Sequence, residues 1–261
     1  MGTYDLVMEG GGAKGIVFVG AMQEFLARGN QPGRLIGTSA GAITAALVAA
    51  GYTAEEMLSS LNEQVDGKPV FATFMSTPGA FSDEEKLASL TAQYLREINV
   101  PLLPDGMENR IDQWTVDALL MHPGFRHLFS FVERGGWYAA DNFLGWFAGK
   151  LDSGEFNGAP RRFSGMTLEE FFAATGTQLT LVASDVTAKR MLVLNHITAP
   201  DLPLIWAVRM SMNIPLLWQE VIWQEEWGPY REQRMAGNKI VDGGLLSNFP
   251  MELLISDLPH V

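Results

Sequence analysis

The stretch Gly37-Thr38-Ser39-Ala40-Gly41 constrains the fold more than any other part of the chain, because it fits the pattern G-x-S-x-G. In this pattern a serine lies on a strained turn between a strand and a helix and presents its hydroxyl group. The flanking residues agree, since Leu35-Ile36 can end a strand and residues 42–50 read as a helix of small side chains that Gly51 ends. The two glycines have a steric reason, because crowded strand and helix backbones leave no room for a Cβ atom. The pattern also occurs in plain structural turns, so its meaning depends on the rest of the chain.

The first fifty residues predict alternating strands and helices. Tyr4–Met8 is an apolar strand candidate, the glycine-rich loop Glu9–Gly15 follows it, and Ile16–Leu26 reads as a helix. Arg34–Ile36 then forms a second strand that leads into the turn at Ser39. This βαβα order predicts a parallel sheet with crossover helices, and therefore an α/β fold.

The glycine-rich loop has two functional interpretations besides that of a plain turn. Gly10-x-Gly12-x-x-Gly15 matches the fingerprint of dinucleotide-binding loops, which also requires an acidic residue about 20 positions later to bind the ribose. The second strand instead ends in Leu35-Ile36-Gly37, which disfavours a nucleotide site. Consecutive glycines also let several backbone N–H groups point to one place beside a helix N-terminus, as an oxyanion hole requires. In that interpretation, Lys14 steadies the loop or favours negative charge.

A short strand late in the chain, Lys239–Val241, is followed by Asp242-Gly243-Gly244. This places an acid where α/β folds present their chemistry, at the carboxyl edge of the sheet. An Asx-turn at a strand end gives the same residues. A serine nucleophile requires a base, and two arrangements supply one. A triad would use His260, whereas a dyad would bring Asp242 directly to Ser39; the dyad is favoured because a chain terminus holds an imidazole poorly.

The composition excludes several classes of function. A formal net charge of −12 leaves no basic patch for nucleic acid and argues against strong attachment to anionic membrane, although apolar contacts can still bring the protein to lipid. The 261 residues contain no Cys, so disulfides and thiolate metal sites are excluded. The sequence shows neither a signal peptide nor an apolar run that could span a membrane. This predicts a cytoplasmic or peripheral membrane protein, with export by a non-classical route left open.

The region from residue 53 to about 165 carries no catalytic motif and is predicted to be a helical insertion or lid. The spacing S/T-x-x-E at Thr53, Ser82 and Thr167 predicts capping boxes at three helix starts. We expect the first two helices to run for about a dozen residues, the second ending at Pro101 and Pro104.

Aromatic residues are concentrated in and near this region: Trp114, Phe125, Phe129, Phe131, Trp137, Tyr138, Phe143, Trp146 and Phe147. They predict either a core beneath a cap or an apolar wall over the serine. His122 and His127 lie among them and are interpreted as structural.

The remaining pattern completes one domain. Gln178–Asp185 reads as a buried strand, and Arg190–Asn195 pairs with it as a hairpin across residues 186–189. Residues 207–213 read as a helix that Ile214-Pro215 ends. No internal repeat or low-complexity linker interrupts the chain.

Three separated motifs resemble those of the patatin-like phospholipases: Gly10–Gly15, Gly37–Gly41 and Asp242–Gly244. Softer matches are residues 207–215 and Asn248-Phe249-Pro250, so the resemblance covers most of the chain outside the middle region. It implies a three-layer α/β/α sandwich with a mainly parallel central sheet and a helical, aromatic-rich insertion or cap. It also implies a single catalytic domain over residues 1–261, as the N-terminal part of a longer protein.

The same resemblance assigns roles to residues. Ser39 would be the nucleophile and Asp242 the base, with oxyanion N–H groups from Gly10, Gly11, Gly12 and Ala40. The residues expected to support these motifs are Lys14, Gly15, Gly37, Gly41, Gly243 and Gly244.

The implied activity is that of a phospholipase A or lysophospholipase. It cleaves carboxylic esters of phospholipid or lysophospholipid at a membrane or micelle surface, without metal or cofactor. Whether a protein activator is required is left open. A general carboxylesterase or a transacylase on the same dyad is the alternative, while a nucleotide-binding oxidoreductase and a non-catalytic lipid-binding domain are less consistent with these motifs.

Overall fold

A computed structural model of the chain describes residues 1–97 and 108–256, and of residues 13–14, 95–97 and 108–113 it describes the backbone alone. In chain order the strands are β1 (Thr3–Met8), β2 (Gln31–Thr38), β3 (Gln64–Val65), β4 (Lys68–Pro69), β5 (Gly136–Tyr138), β6 (Glu155–Phe156), β7 (Ala159–Pro160), β8 (Leu179–Asp185), β9 (Arg190–Leu194), β10 (Leu216–Trp218), β11 (Val221–Ile222) and β12 (Lys239–Asp242). The α-helices are α1 (Ile16–Ala27), α2 (Ala40–Ala49), α3 (Ala54–Leu61), α4 (Asp83–Ala88), α5 (Leu90–Glu97), α6 (Glu108–Leu120), α7 (Pro123–Arg134), α8 (Asp141–Leu151), α9 (Leu168–Thr175) and α10 (Leu204–Ser211). Short 3-10 helices cover Gly12–Gly15, Val70–Thr73, Glu225–Trp227, Gly243–Leu245 and Met251–Leu253.

The described residues form two compact units. The first comprises Met1–Phe74, Asp141–Ile214 and the described residues from Val221 onward, and the second comprises Met75–Ala140 and Pro215–Glu220. The predicted insertion, residues 53–165, contains the whole of Met75–Ala140. The glycine-rich loop, Ser39 and Asp242 all belong to the first unit. The extent of a single catalytic domain over residues 1–261 stays a prediction.

The central sheet lies in the first unit, and it is mixed. β1 pairs with β2 and β2 with β8 in parallel, whereas β9 and β12 pair with β8, and β11 with β12, in antiparallel orientation. The predicted α/β class, with a central sheet and helices, is confirmed. The prediction of a mainly parallel sheet holds only for β1, β2 and β8. Residues 186–189, which join β8 to β9, are too short a connection for a crossover, so these two strands must be antiparallel.

The register on β8 determines where β2 and β12 meet. β2 pairs with the first part of β8, up to Thr38 opposite Val182, and β12 pairs with the later part, ending with Asp242 opposite Ala183. β9 covers the other edge of β8 from Leu181 to Asp185. β2 and β12 therefore share one edge of β8, and their C-terminal ends face each other end to end.

The helix α2, which follows Ser39, is anchored at its C-terminal end by a buried arginine. Arg161 is 2% exposed and donates from Nε to the carbonyl of Ala50 (3.0 Å) and from Nη2 to that of Gly51 (2.8 Å). Its guanidinium also forms an ion pair with Glu56 (2.9 Å) and holds the pKa of that carboxyl below its usual range. Carbonyl groups that have no partner within the helix are thus satisfied by a charged donor.

The predicted capping boxes at Thr53, Ser82 and Thr167 are all present, each with both reciprocal hydrogen bonds. The predicted helix lengths were wrong, because α3 ends at Leu61 and α4 already ends at Ala88, where Ser89 takes an extended conformation. The predicted helix end at Pro101 and Pro104 lies outside the described residues. In the part of the chain that the structure describes, no helix has the length and apolar character needed to cross a membrane.

The aromatic residues of the middle region divide between the two units. In the first unit, Phe143 and Phe147 are fully buried and stack with their ring centroids 5.6 Å apart. In the second, Phe129 is buried against Phe81, whereas Trp114 is 72% exposed. Of the nine aromatic residues, Phe129, Phe143 and Phe147 are buried, Trp114 and Trp137 are exposed, and the other four are partly buried.

Candidate active site

Ser39 occupies the turn between β2 and α2 in a conformation that side chains rarely adopt. Its backbone angles are φ 54° and ψ −122°, and its side chain is 7% exposed. The Ser39 N–H donates to the Oγ of Ser211 (3.1 Å). A positive φ at a residue other than glycine is strained, and such strain persists only where surrounding contacts hold it. The turn has the geometry of a nucleophile elbow.

Gly37 and Gly41 stand where backbones approach too closely for a side chain. A Cβ atom on Gly37 would lie 2.5 Å from the carbonyl oxygen of Gly41, and one on Gly41 would lie 2.1 Å from that of Met8. The first contact packs the strand end against the first turn of α2, and the second packs α2 against β1. The elbow therefore depends on both glycines for steric reasons.

Asp242 ends β12, is 4% exposed, and uses its two carboxylate oxygens differently. Oδ1 accepts a hydrogen bond from the N–H of Gly244 (2.7 Å), which forms the Asx-turn considered from the sequence. Oδ2 is buried and has no well-formed hydrogen bond to any described residue. Burial raises the pKa of Asp242, and its interactions with the Ser39 hydroxyl and the Gly244 N–H offset part of that rise.

Ser39 and Asp242 are brought together by the sheet. Thr38 lies opposite Val182 and Asp242 opposite Ala183 on the same edge of β8, so the residue after Thr38 comes next to the end of β12. Burial raises the pKa of the Asp242 carboxyl group, and the neighbouring Ser39 hydroxyl offsets only part of that rise. A buried carboxylate with one uncommitted oxygen beside a hydroxyl group can accept that hydroxyl's proton.

The glycine-rich loop lies against this pair, but Gly10 differs from expectation. Its N–H donates to the backbone carbonyl of Asn248 (3.0 Å), and its own carbonyl accepts from Nδ2 of Asn248 (3.1 Å). A Cβ atom on Gly10 would lie 2.2 Å from Oδ1 of Asn248 and 3.1 Å from the Ser39 Cβ. The Gly10 N–H is therefore already occupied, and this glycine joins the loop to the segment after Asp242.

The other expected oxyanion donors keep their N–H groups available. No described residue accepts a hydrogen bond from the N–H of Gly11. Gly12, at φ 53°, begins the 3-10 helix, and Ala40 begins α2, where the first N–H groups have no partner within the helix. Gly15 is placed beside Ala40, since its Cβ atom would lie 3.2 Å from that of Ala40. The side chain of Lys14 lies outside the described part of the structure.

The two glycines after Asp242 have distinct surroundings. A Cβ atom on Gly243 would lie 2.2 Å from the carbonyl oxygen of Val182, so only glycine lets this segment pass β8. One on Gly244 would lie 2.9 Å from Oδ1 of Asn248 and 3.0 Å from Oδ1 of Asp242. Both glycines therefore shape the turn that holds the carboxylate.

The sequence did not predict the residues that hydrogen-bond to the backbone of Ser39, Asp242 and Gly10. Ser211 contacts the elbow, the carbonyl of Asn213 accepts from the N–H of Asp242 (2.8 Å), and Asn248 contacts Gly10. All three lie in the softer matches, residues 207–215 and 248–250, which carried no assigned role. Their hydrogen bonds join positions far apart in the chain, and no local pattern reveals such partners.

Among the described residues, no hydrogen bond joins a histidine to Ser39 or Asp242, and His196, the histidine of the first unit, stacks on Phe172. His127 hydrogen-bonds to the carbonyl of Trp137 (2.7 Å) and, with His122, lies in the second unit. His260 lies outside the described residues. Within the described ranges, no cluster of three or more His, Asp or Glu side chains is arranged to hold a metal ion.

Comparisons with known proteins agree with this arrangement. The sequence profile of the family described as patatin-like phospholipase matches residues 6–255. The Bacillus subtilis (strain 168) protein YqhO is 32% identical over 255 residues, covering 95% of this chain and 66% of YqhO. The probable lipid hydrolase 463L of Invertebrate iridescent virus 6 is 22% identical over 250 residues, covering 96% of this chain and 62% of the viral protein. The chain thus spans slightly less than two thirds of the length of these relatives.

Among solved structures, VipD from Legionella pneumophila aligns with a TM-score of 0.50 at 19% identity, covering 95% of this chain and 46% of VipD. This likeness concerns the fold, which agrees with the mixed sheet and its helices. The fold that the motifs predict is therefore confirmed, and the chain belongs to the patatin-like phospholipase family.

Proposed function

We propose that this chain is a lipid acyl hydrolase of the phospholipase A or lysophospholipase type, with Ser39 as nucleophile and Asp242 as base. The observation that carries the proposal is the end-to-end meeting of β2 and β12, which places a strained serine beside a buried carboxylate with one uncommitted oxygen. Membership of the family and the viral relative named as a probable lipid hydrolase support the reaction class.

In the first half of the reaction, Oδ2 of Asp242 accepts the proton of Ser39 as Oγ attacks the ester carbonyl. The negative charge that develops on the carbonyl oxygen is stabilised by the N–H groups of Gly11, Gly12 and Ala40, with help from the positive end of α2. Each such donor contributes about 3–4 kcal/mol in comparable sites. The leaving alcohol then takes the proton from Asp242, and the acyl group stays on Ser39.

In the second half, Asp242 removes a proton from water, and the resulting nucleophile attacks the acyl-serine. The fatty acid leaves as Ser39 regains its proton from Asp242. An ordinary aspartate is a weak base, with a pKa of about 3.9. The burial that raises the pKa of Asp242 improves it for both proton transfers. No metal or cofactor takes part in these steps.

The surface beside the pair favours a lipid over a water-soluble ester. Exposed apolar side chains follow both loops of the site: Ile16, Val17, Leu245, Leu246 and Phe249, which are 48–68% exposed. The segment 243–256 contains no Lys or Arg, and the net charge of the chain is −12. An apolar surface on a chain of strongly negative net charge fits an uncharged or zwitterionic lipid surface better than an anionic one. We therefore propose a phospholipid or lysophospholipid substrate at a membrane or micelle surface.

Labelling with a fluorophosphonate tests the reaction class. We expect one adduct, mapped to Ser39, with no labelling of Ser39→Ala and much slower labelling of Asp242→Asn. An adduct at another serine, or unchanged ester turnover in either variant, would overturn the proposal.

Substrate profiling tests the lipid assignment against a general carboxylesterase or a transacylase. We expect phosphatidylcholine vesicles to be hydrolysed faster than short p-nitrophenyl esters, and Phe249→Ser to lose the vesicle activity while keeping the short-ester activity. Ile197→Ser is the matched control, because Ile197 is 55% exposed in the same unit but follows neither loop of the site. Equal losses in both variants, or acyl transfer to an added alcohol in preference to water, would refute the assignment.

A further inference from the structure

We infer that the end of α10 and the residues just after it, Ser211–Asn213, form a positioning segment that fixes Ser39 relative to Asp242. The inference rests on the proposed function and adds two residues to it. Neither touches the reacting atoms, so both are positioning residues.

Ser211 holds the nucleophile. Its side chain is fully buried, accepts the N–H of Ser39 at Oγ (3.1 Å) and donates to the carbonyl of Val182 (2.6 Å). Val182 is the residue of β8 opposite Thr38. One hydroxyl group therefore ties the strained elbow to the strand that sets its position.

Asn213 holds the base. Its backbone carbonyl accepts the N–H of Asp242 (2.8 Å), and its Nδ2 donates to the carbonyl of Ile240 (3.0 Å) in the same strand. The side chain is fully buried. Because Ser211 and Asn213 are two positions apart, the separation between their partners is set by one short piece of backbone.

The sheet alone leaves this separation incompletely fixed. β2 and β12 meet end to end and share only β8 as a common neighbour. Hydrogen bonds to β8 run roughly perpendicular to the strands and oppose a shift of β2 or β12 along β8. Residues beyond the end of each strand make no such hydrogen bonds. Ser39 is such a residue, and its positive φ requires an external contact to persist. The positioning segment supplies that contact from a third element.

The test compares two buried serines. Ser211→Ala removes a hydroxyl group with two hydrogen bonds, whereas Ser184→Ala removes one that is equally buried but has no hydrogen-bond partner among the described residues. With a short p-nitrophenyl ester, we expect Ser211→Ala to lower kcat by about 10- to 100-fold with KM little changed, because small displacements of reacting groups cost rates of this order. Ser184→Ala should keep wild-type kcat.

Active-site titration separates positioning from simple loss of folded protein. The kcat is expressed per titrated Ser39, so unfolded molecules do not count. Wild-type kcat per titrated site in Ser211→Ala would overturn the inference, as would an equal loss in Ser184→Ala. If Ser211→Ala does not fold, Ser211→Cys decides, since its weaker hydrogen bonds should give an intermediate kcat and an unchanged kcat would refute the inference.

Different results would refute the proposed function and the positioning segment. A wild-type protein without ester hydrolysis and without labelling at Ser39 refutes the proposed function itself. An active, Ser39-labelled wild type with an unaffected Ser211→Ala refutes only the positioning segment.

Discussion

Replacing Ser39 by glycine should give a variant that has a larger free energy of unfolding than Ser39→Ala, and that, like Ser39→Ala, is inactive. Ser39 has φ 54° and ψ −122°, a region that glycine occupies freely and other residues do not. Ser39→Ala is the matched comparison, because it also removes the hydroxyl group but keeps the Cβ atom and therefore the strain. The difference between the two variants isolates the cost of the backbone conformation.

The size of this difference follows from two opposing terms. Strain of this kind costs about 1–3 kcal/mol, and glycine loses about 0.5–1 kcal/mol more conformational entropy on folding than alanine. We therefore expect Ser39→Gly to be about 1 kcal/mol more stable than Ser39→Ala. In a chain of this length, that corresponds to a Tm about 2 °C higher.

Urea unfolding of the two variants, followed by circular dichroism, measures the difference in free energy of unfolding, and scanning calorimetry measures Tm. Neither variant should hydrolyse an ester or react with a fluorophosphonate at position 39. A glycine variant that is no more stable than the alanine variant would refute the idea that the elbow stores strain.

Four further predictions concern Asp242, the arginine that anchors α2 and the close backbone contacts. Because burial raises the pKa of Asp242 and the base works deprotonated, kcat/KM should rise with pH through a midpoint above the usual aspartate value; a midpoint at or below that value would contradict this assignment. A raised folded-state pKa also favours folding at low pH and loses that contribution as pH rises, so Asp242→Asn should gain stability relative to wild type between acid and neutral pH in urea titrations. Arg161→Lys should lower the free energy of unfolding by about 2–3 kcal/mol, because lysine cannot reproduce the forked hydrogen bonds of a buried guanidinium. Arg234→Lys is the control and should change it little, because the ion pair of Arg234 with Glu225 is exposed. Gly41→Ala should destabilise by about 2–3 kcal/mol through backbone overlap, but Gly145→Ala, with open space around it in α8, should change Tm little or raise it.

The local parts of this structure were predictable from the sequence. The elbow at Ser39, the hairpin of β8 and β9, and the capping boxes each depend on residues within a few positions of one another. β2 was predicted as Arg34–Ile36 but spans Gln31–Thr38, and it thus includes Pro32 and Gly33, two residue types that are unfavourable in strands. Pairing with β1, from Thr3 opposite Gln31, overrides that local preference.

The contacts that distant parts of the chain make around Ser39 and Asp242 were not predictable. The direction of β12 depends on how a long connection returns to the sheet, which no short pattern encodes. Gly10 was expected to supply an oxyanion N–H group, but this N–H donates to the backbone carbonyl of Asn248, more than two hundred residues later in the chain. Ser211 reads as one more residue of an apolar helix, and only the folded structure shows its hydroxyl group between Ser39 and Val182.

The end-to-end arrangement of β2 and β12 means that their register on β8, together with Ser211–Asn213, sets the distance between Ser39 and Asp242. The loops between Ser39 and Asp242 can change in length without altering the gap between these two residues, as long as β8 and Ser211–Asn213 are kept, since the entropy of closing a longer loop grows only logarithmically. A slip of β12 by a single residue, by contrast, would move the carboxylate by about 3.4 Å and turn it to the opposite face of the sheet. Such a protein can therefore accept new segments between these strands over evolutionary time, provided that one register is preserved.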